Sequence, residues 1–66
     1  MKMYIDAYAT NIKTMLPGDF FLSKEHKYLI LCLKKQVLGK KIVFTWLHQS
    51  DQFSTEIYSS SYENTI

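Results

Sequence analysis

Lys34, Lys35, Lys40 and Lys41 fall within eight residues around Gly39, with Lys24 and Lys27 just upstream. If these residues form a hairpin, four ammonium groups gather at one end of it and attract phosphates. Tyr28, Trp46, Tyr58 and Tyr62 are rings with polar tips, the kind that stack on a base beside such a cluster. His48, at the end of an apolar run, adds a hydrogen-bonding group. The expected ligand-binding residues are therefore Lys34, Lys35, Lys40, Lys41, Tyr28, Trp46, His48 and Tyr58. The expected ligand is anionic, either a nucleotide-type small molecule or nucleic acid. A plainer reading stands beside this one. Lysines keep a hairpin tip soluble, and rings, Trp46 above all, fill the core of a short chain.

Catalytic chemistry has less support. His48, Ser50 and Asp51 are close in sequence, but neighbours on a strand and turn rarely converge as base, nucleophile and orienter. Cys32 sits in the most apolar run, where a thiol is inert packing. Asp19 and Glu25 flank one short strand and read as a turn cap and a solvated carboxylate. No phosphate loop, dinucleotide fingerprint or zinc spacing occurs. The expectation is a non-enzymatic protein with no cofactor and no metal.

Elements must hold these residues, and the composition bounds what they can be. The chain has 66 residues, 47% of them hydrophobic and 15% aromatic, with a formal charge of +2. That suits one small domain over residues 1–66, with 1–11 and 59–66 as its periphery. Such a chain buries only about 60% of its unfolded surface, so its core is marginal. The single cysteine allows no internal disulfide. It fits a reducing, cytoplasmic setting. All eight cations are lysines. Without arginine forks, base-specific major-groove reading is disfavoured. Charge is sorted along the chain: residues 24–41 hold six lysines against Glu25, while residues 42–66 hold Asp51, Glu56 and Glu63 with no lysine. No apolar run approaches the roughly 20 residues of a membrane span, so no membrane association is expected.

Leu16-Pro17-Gly18-Asp19 reads as a turn, because proline fixes φ, glycine permits positive φ, and aspartate bonds nearby amides. Phe20–Ser23, Tyr28–Lys35, Ile42–His48 and Phe53–Tyr58 read as strands. Gly39 and the stretch Gln49–Gln52 mark further turns. Met3–Tyr8 suits a short strand, with a helical turn over Ala7–Thr14 as the competing reading. The tail 59–66 is a last strand or a frayed end. The expected fold is all-β: a small SH3-like barrel or a five-stranded meander.

The central hairpin does not alternate apolar and polar residues as a strand with one wet face would. Tyr28, Ile30 and Cys32 occupy one face of its first strand, and Leu29, Leu31 and Leu33 the other. In its second strand Ile42, Phe44 and Trp46 oppose Val43, Thr45 and Leu47. Both faces call for burial, yet the chain has few elements to supply it. The expected remedy is a second copy, giving a homo-oligomer, most simply a two-fold dimer. The alternative is that a strongly coiled barrel, or the N-terminal segment packed behind the hairpin, covers both faces within one chain.

The run Ile12 to Phe21 containing Leu16-Pro17-Gly18-Asp19-Phe20, followed by Tyr28-Leu29-Ile30-Leu31, Ile42-Val43-Phe44 and Phe53, resembles small phage-encoded SH3-like β-barrels. The resemblance spans residues 12–58. It implies a compact barrel and a viral source, hence the cytoplasm of a host cell. Proteins of that class act on host machinery or defence, as sponges for nucleotide signals or as inhibitors of a host protein. It carries no active site, so no residue inherits a role from it. Two functions follow as expectations: anionic-ligand binding at the lysine and aromatic surface, or capture of a host protein through an apolar hairpin face or a strand edge.

Overall fold

A computed structural model describes residues 1–58 of the chain; Tyr62 and the expected last strand or frayed end over 59–66 lie outside them. Five strands form one sheet in the order β1-β2-β3-β4-β5: β1 (Met3–Ile5), β2 (Phe20–Ser23), β3 (Tyr28–Leu38), β4 (Lys41–His48) and β5 (Asp51–Tyr58). One short helix, α1 (Tyr8–Asn11), lies between β1 and β2. The all-β expectation holds.

Two details depart from a meander that closes. First, β1 runs parallel to β2, pairing Met3 with Phe20 and Ile5 with Leu22. Parallel neighbours need a crossover, and residues 6–19, with α1 and the proline turn, supply one. Second, the sheet does not close into a barrel. β1 is three residues long. Tyr8 of α1 fills the gap between the sheet's two ends: its ring packs edge-on against Phe21 of β2 at 5.3 Å, and its hydroxyl lies 3.4 Å from Thr55 Oγ1 of β5. The Met3–Tyr8 strand and the Ala7–Thr14 helical turn are thus each half present. Within the N-terminal eleven residues, Tyr4 belongs to the core.

The turns follow from residue type. Gly18 takes φ +96°, and the Asp19 amide donates to the Leu16 carbonyl at 3.0 Å. Proline second and a positive-φ glycine third make this a type II turn. Gly39, at φ +65°, opens the two-residue loop between β3 and β4. Between β4 and β5 the loop is only Gln49-Ser50, so β5 starts two residues earlier than the Gln49–Gln52 turn predicts.

The core lies on the inner face of the sheet. Phe21, Ile30, Cys32, Ile42, Phe44 and Trp46 point inward, and Ile12 and Met15 from the crossover cover them. Asp19 anchors that crossover. Its buried carboxylate accepts the Leu16 amide at 2.8 Å and the Lys2 amide at 3.1 Å, while its carbonyl accepts the Cys32 amide at 2.8 Å. Hydrogen bonds to a charged group contribute about 1.5–3 kcal/mol each, and Asp19→Ala strands two backbone donors. We expect Asp19→Ala to lose about 2–4 kcal/mol in urea melts. A loss within about 0.5 kcal/mol, the range of a neutral surface change, would contradict the anchoring role.

β3 runs to Leu38, three residues beyond the expected Lys35, and it carries a bulge. Cys32 pairs with Trp46 but Lys34 pairs with Thr45, so Leu33 is the extra residue. The bulge reverses the alternation after Cys32. Lys34 therefore shares the outer face with Thr45, and Lys35 shares the inner face with Phe44.

Candidate functional site

The bulge divides the lysine cluster. Lys35 Nζ donates to the carbonyls of Met15 at 3.0 Å and Lys13 at 3.3 Å, and lies 5.7 Å from the centroid of the Phe44 ring. It pins the crossover to the sheet and is not free for a ligand. Lys41 meets Glu56 at 3.5 Å. Lys34 and Lys40 are exposed and have no carboxylate partner among the described residues. Of the four expected cations, two are therefore unoccupied. We expect Lys35→Met to cost about 1–2 kcal/mol, because it removes two charge-assisted bonds and keeps most of the packing. Lys40→Ala should stay within about 0.5 kcal/mol of the parent. Equal melting curves for the two variants would contradict this division.

The aromatic residues are also divided. Trp46 has 0% exposure, stacks on Phe44 with centroids 5.1 Å apart, and donates Nε1–H to Thr55 Oγ1 at 2.8 Å. A ring packed on its faces and satisfied at its only polar atom offers nothing to a base, so Trp46 is a core residue. Tyr28 is half-buried on the inner face, between His26, stacked at 6.2 Å, and His48, edge-on at 6.3 Å. Tyr58 is exposed and pairs with Lys41 across the outer face. Tyr28 and His48 thus sit together at one end of the sheet, and the lysines with Tyr58 at the other.

His48 and Asp51 close the β4–β5 turn as a register pair, and no hydrogen bond joins them to Ser50 among the described residues. Asp19 is committed to backbone amides, whereas Glu25 lies in an exposed turn beside His26. No group of three or more His, Cys, Asp or Glu side chains within reach of one metal ion occurs among the described residues, and no helix there is long and apolar enough to cross a membrane.

Cys32 is buried, and its thiol donates to the Lys34 carbonyl at 3.7 Å. Burial pushes the Cys32 thiol above its ordinary value. Burial also raises the Tyr8 hydroxyl, against a smaller opposing effect of its bond to Thr55. Both groups keep their protons longer in the folded chain than in the unfolded one. Their contribution is complete below the unfolded values, about 8.5 for Cys and 10 for Tyr, and is lost as pH rises through the raised ones. We expect stability in urea to fall from pH 8 to pH 10, by at most about 1.4 kcal/mol per pH unit per group. The first part of that fall should be absent in Cys32→Ala.

The surface that the topology assembles is elsewhere, on the outer face. Met3, Phe20, Leu31 and Leu47 form one cross-strand row from β1 to β4. Ile5, Leu22 and Leu29 form the next row, from β1 to β3. Met3, Ile5 and Leu29 are 49%, 47% and 41% exposed, and the other four are partly exposed. The crossover covers the inner face only, so the alternative in which the N-terminal segment shields both sides of the hairpin does not hold for the described residues. Leu29, Leu31 and Leu47 were legible as this surface in the sequence. Met3, Ile5, Phe20 and Leu22 were not, because only the parallel pairing of β1 with β2 places them in the same rows. Compared with known proteins, the chain matches no family model, no curated protein and no solved structure.

Proposed function

We propose that the protein is a non-enzymatic binding module that works through the outer face of its sheet, and that a second copy of the chain covers this face in a two-fold dimer. The observation that carries the proposal is the pair of rows Met3-Phe20-Leu31-Leu47 and Ile5-Leu22-Leu29, seven apolar side chains without a charge among them. The chain carries a net charge of +2. These rows hold no charge, so they can meet their own image without like-charge repulsion. Contiguous apolar patches of several hundred square ångströms mark interaction sites. At about 25 cal/mol per Å2, covering such a patch contributes several kcal/mol before the cost of association. The molecule measures 29 × 21 × 20 Å, so one face is on the order of the 800 Å2 that each partner gives to a standard interface.

The SH3-like reading belongs to this proposal. Its support is a five-stranded sheet whose second strand follows the Pro17-Gly18 turn and whose inner face holds one aromatic core. So does the host-directed role, in which a partner protein competes for the same rows. Sedimentation equilibrium from nanomolar to hundred-micromolar concentration tests the dimer. We expect a concentration-dependent rise from 7.8 kDa to twice that mass. A single species of 7.8 kDa at every concentration would falsify it.

A second reading keeps the anionic ligand, on a smaller surface. Lys34, Lys40 and Lys41 remain with Tyr58 at the β3–β4 end of the outer face, where Lys41 and Tyr58 are register partners. Nucleic-acid binding there would weaken steeply between about 50 and 200 mM salt, whereas an apolar contact would not. Loss of binding in Lys40→Ala with Lys41→Ala would support this reading.

A further inference from the structure

A cavity of about 460 Å3 opens on the inner side of the sheet, at the end where β2 turns into β3. That volume is within the range of small-ligand sites, about 300–1,000 Å3. Four of its lining residues are rings. Tyr8 meets Phe21 edge-on at 5.3 Å, Phe21 meets Tyr28 at 6.4 Å, and Tyr28 stacks with His26 at 6.2 Å. Asp6 and Glu25 also line it, the Glu25 carboxylate lying 3.9 Å from His26 Nε2. Lys24 and Lys27 belong to the same turn, but their side chains do not line the cavity.

The Asp6 carboxylate has no cationic partner among the described residues. One of its oxygens accepts the Lys24 amide at 2.9 Å, which leaves the other available. Its backbone is held in the left-handed region at φ +53°, with Ala7 following at +50°. Two bonds keep it there: the Asp6 amide to the Leu22 carbonyl at 2.9 Å, and Asn11 Nδ2 to the Asp6 carbonyl at 2.8 Å. Asp6 is thus held in place among the residues that line the cavity. Ring faces attract a cation within about 6 Å of the centroid, and alkylated ammonium groups suit such walls because they are weakly hydrated. A negative charge in the lining adds to that attraction and opposes entry of an anion.

We propose that this cavity binds an alkylated ammonium group, with Tyr8 and Tyr28 against the methyl groups and Asp6 and Glu25 supplying the negative charge. The site is independent of the outer-face dimer, because Phe21 and Tyr28 point to the opposite side of the sheet from Leu29 and Leu31.

Choline and its neutral carbon isostere 3,3-dimethyl-1-butanol separate charge from shape. In an amide NMR titration of the full chain, choline should give saturable shifts confined to residues 6–8 and 21–28. The isostere should bind at least tenfold more weakly. Asp6→Asn keeps the acceptor for the Lys24 amide and suits the left-handed backbone, so it should fold like the parent and bind choline at least tenfold more weakly. Tyr28→Leu should lose binding to a similar degree. A peptide carrying trimethyllysine distinguishes a protein-borne ammonium, which binds the peptide more tightly, from a free one, which favours choline. Either result supports the site. Equal binding of choline and its isostere, unchanged binding in Asp6→Asn, or no saturable shift in this region with any of these probes overturns it.

Discussion

Replacing Leu31 with glutamate should convert a dimer into a monomer and leave the fold intact. Leu31 stands in the middle of the apolar rows, between Phe20 on β2 and Leu47 on β4. Its neighbours Ile30 and Cys32 point into the core, so Leu31 itself points out. In the monomer a glutamate there is solvated and costs little. In a two-fold dimer it would be buried against an apolar surface with no cation in reach. Breaking an interface at its centre in this way costs several kcal/mol, so we expect the dissociation constant to rise at least a hundredfold, about 2.7 kcal/mol. Sedimentation of Leu31→Glu should give the monomer mass at concentrations where the parent is dimeric, with an unchanged far-UV circular dichroism spectrum. Lys34→Glu, two pairs along on the same face, places its charge beside the polar end of β4 and β5 and should leave the dimer nearly as strong. If both variants dissociate alike, the contact is not centred on the apolar rows. If neither does, the dimer uses another surface, such as the edge of β5, which is unpaired among the described residues.

Much of the sheet was legible because strand signals here are strong and local. Phe20–Ser23 appears with its expected bounds, and the apolar runs over 28–35 and 42–48 both form strands. What was hidden was long-range. Nothing in Met3-Tyr4-Ile5 announces a parallel partner. That pairing depends on the crossover, whose length and turns only become a geometry once Asp19 ties it to Lys2 and Leu16. The position of Tyr8 is equally non-local: it touches Phe21 of β2, Trp46 of β4 and Thr55 of β5.

The expected lysine cluster is divided by the bulge at Leu33. Bulges without glycine leave no mark in the sequence, and strict alternation would put Lys34 inward and Lys35 outward. One extra residue exchanges them. Lys35 then becomes a pin for the crossover, and Lys34 is left on a face shared with Thr45 and Ser54. Trp46 was misplaced for another reason. Pattern alone puts Ile42, Phe44 and Trp46 on one face but does not say which face the crossover covers. Once Ile12 and Met15 cover it, the tryptophan is enclosed.

That enclosure gives the second large expected effect: Trp46→Ala should unfold the chain. Trp46 is fully buried, stacked on Phe44 and tilted against Tyr8 at 6.3 Å. Truncating a buried tryptophan costs about 3–5 kcal/mol. Domains hold about 0.05–0.15 kcal/mol per residue, so a chain of this length has about 3–10 kcal/mol in total. The substitution therefore removes a third or more of it, and at the low end all of it. The loss also passes to Thr55, whose hydroxyl would keep only the longer contact to Tyr8. Trp46→Phe isolates that part. It keeps most of the stack, removes the Nε1 donor, and should cost about 1–2 kcal/mol. If the dimer contributes to folding, both variants should recover partly at high protein concentration, and the same substitutions combined with Leu31→Glu should not. The readout distinguishes the two roles that sequence allows Trp46. A stacking platform lost to alanine would leave the far-UV spectrum intact and abolish ligand binding. A core residue lost to alanine removes the cooperative unfolding transition itself.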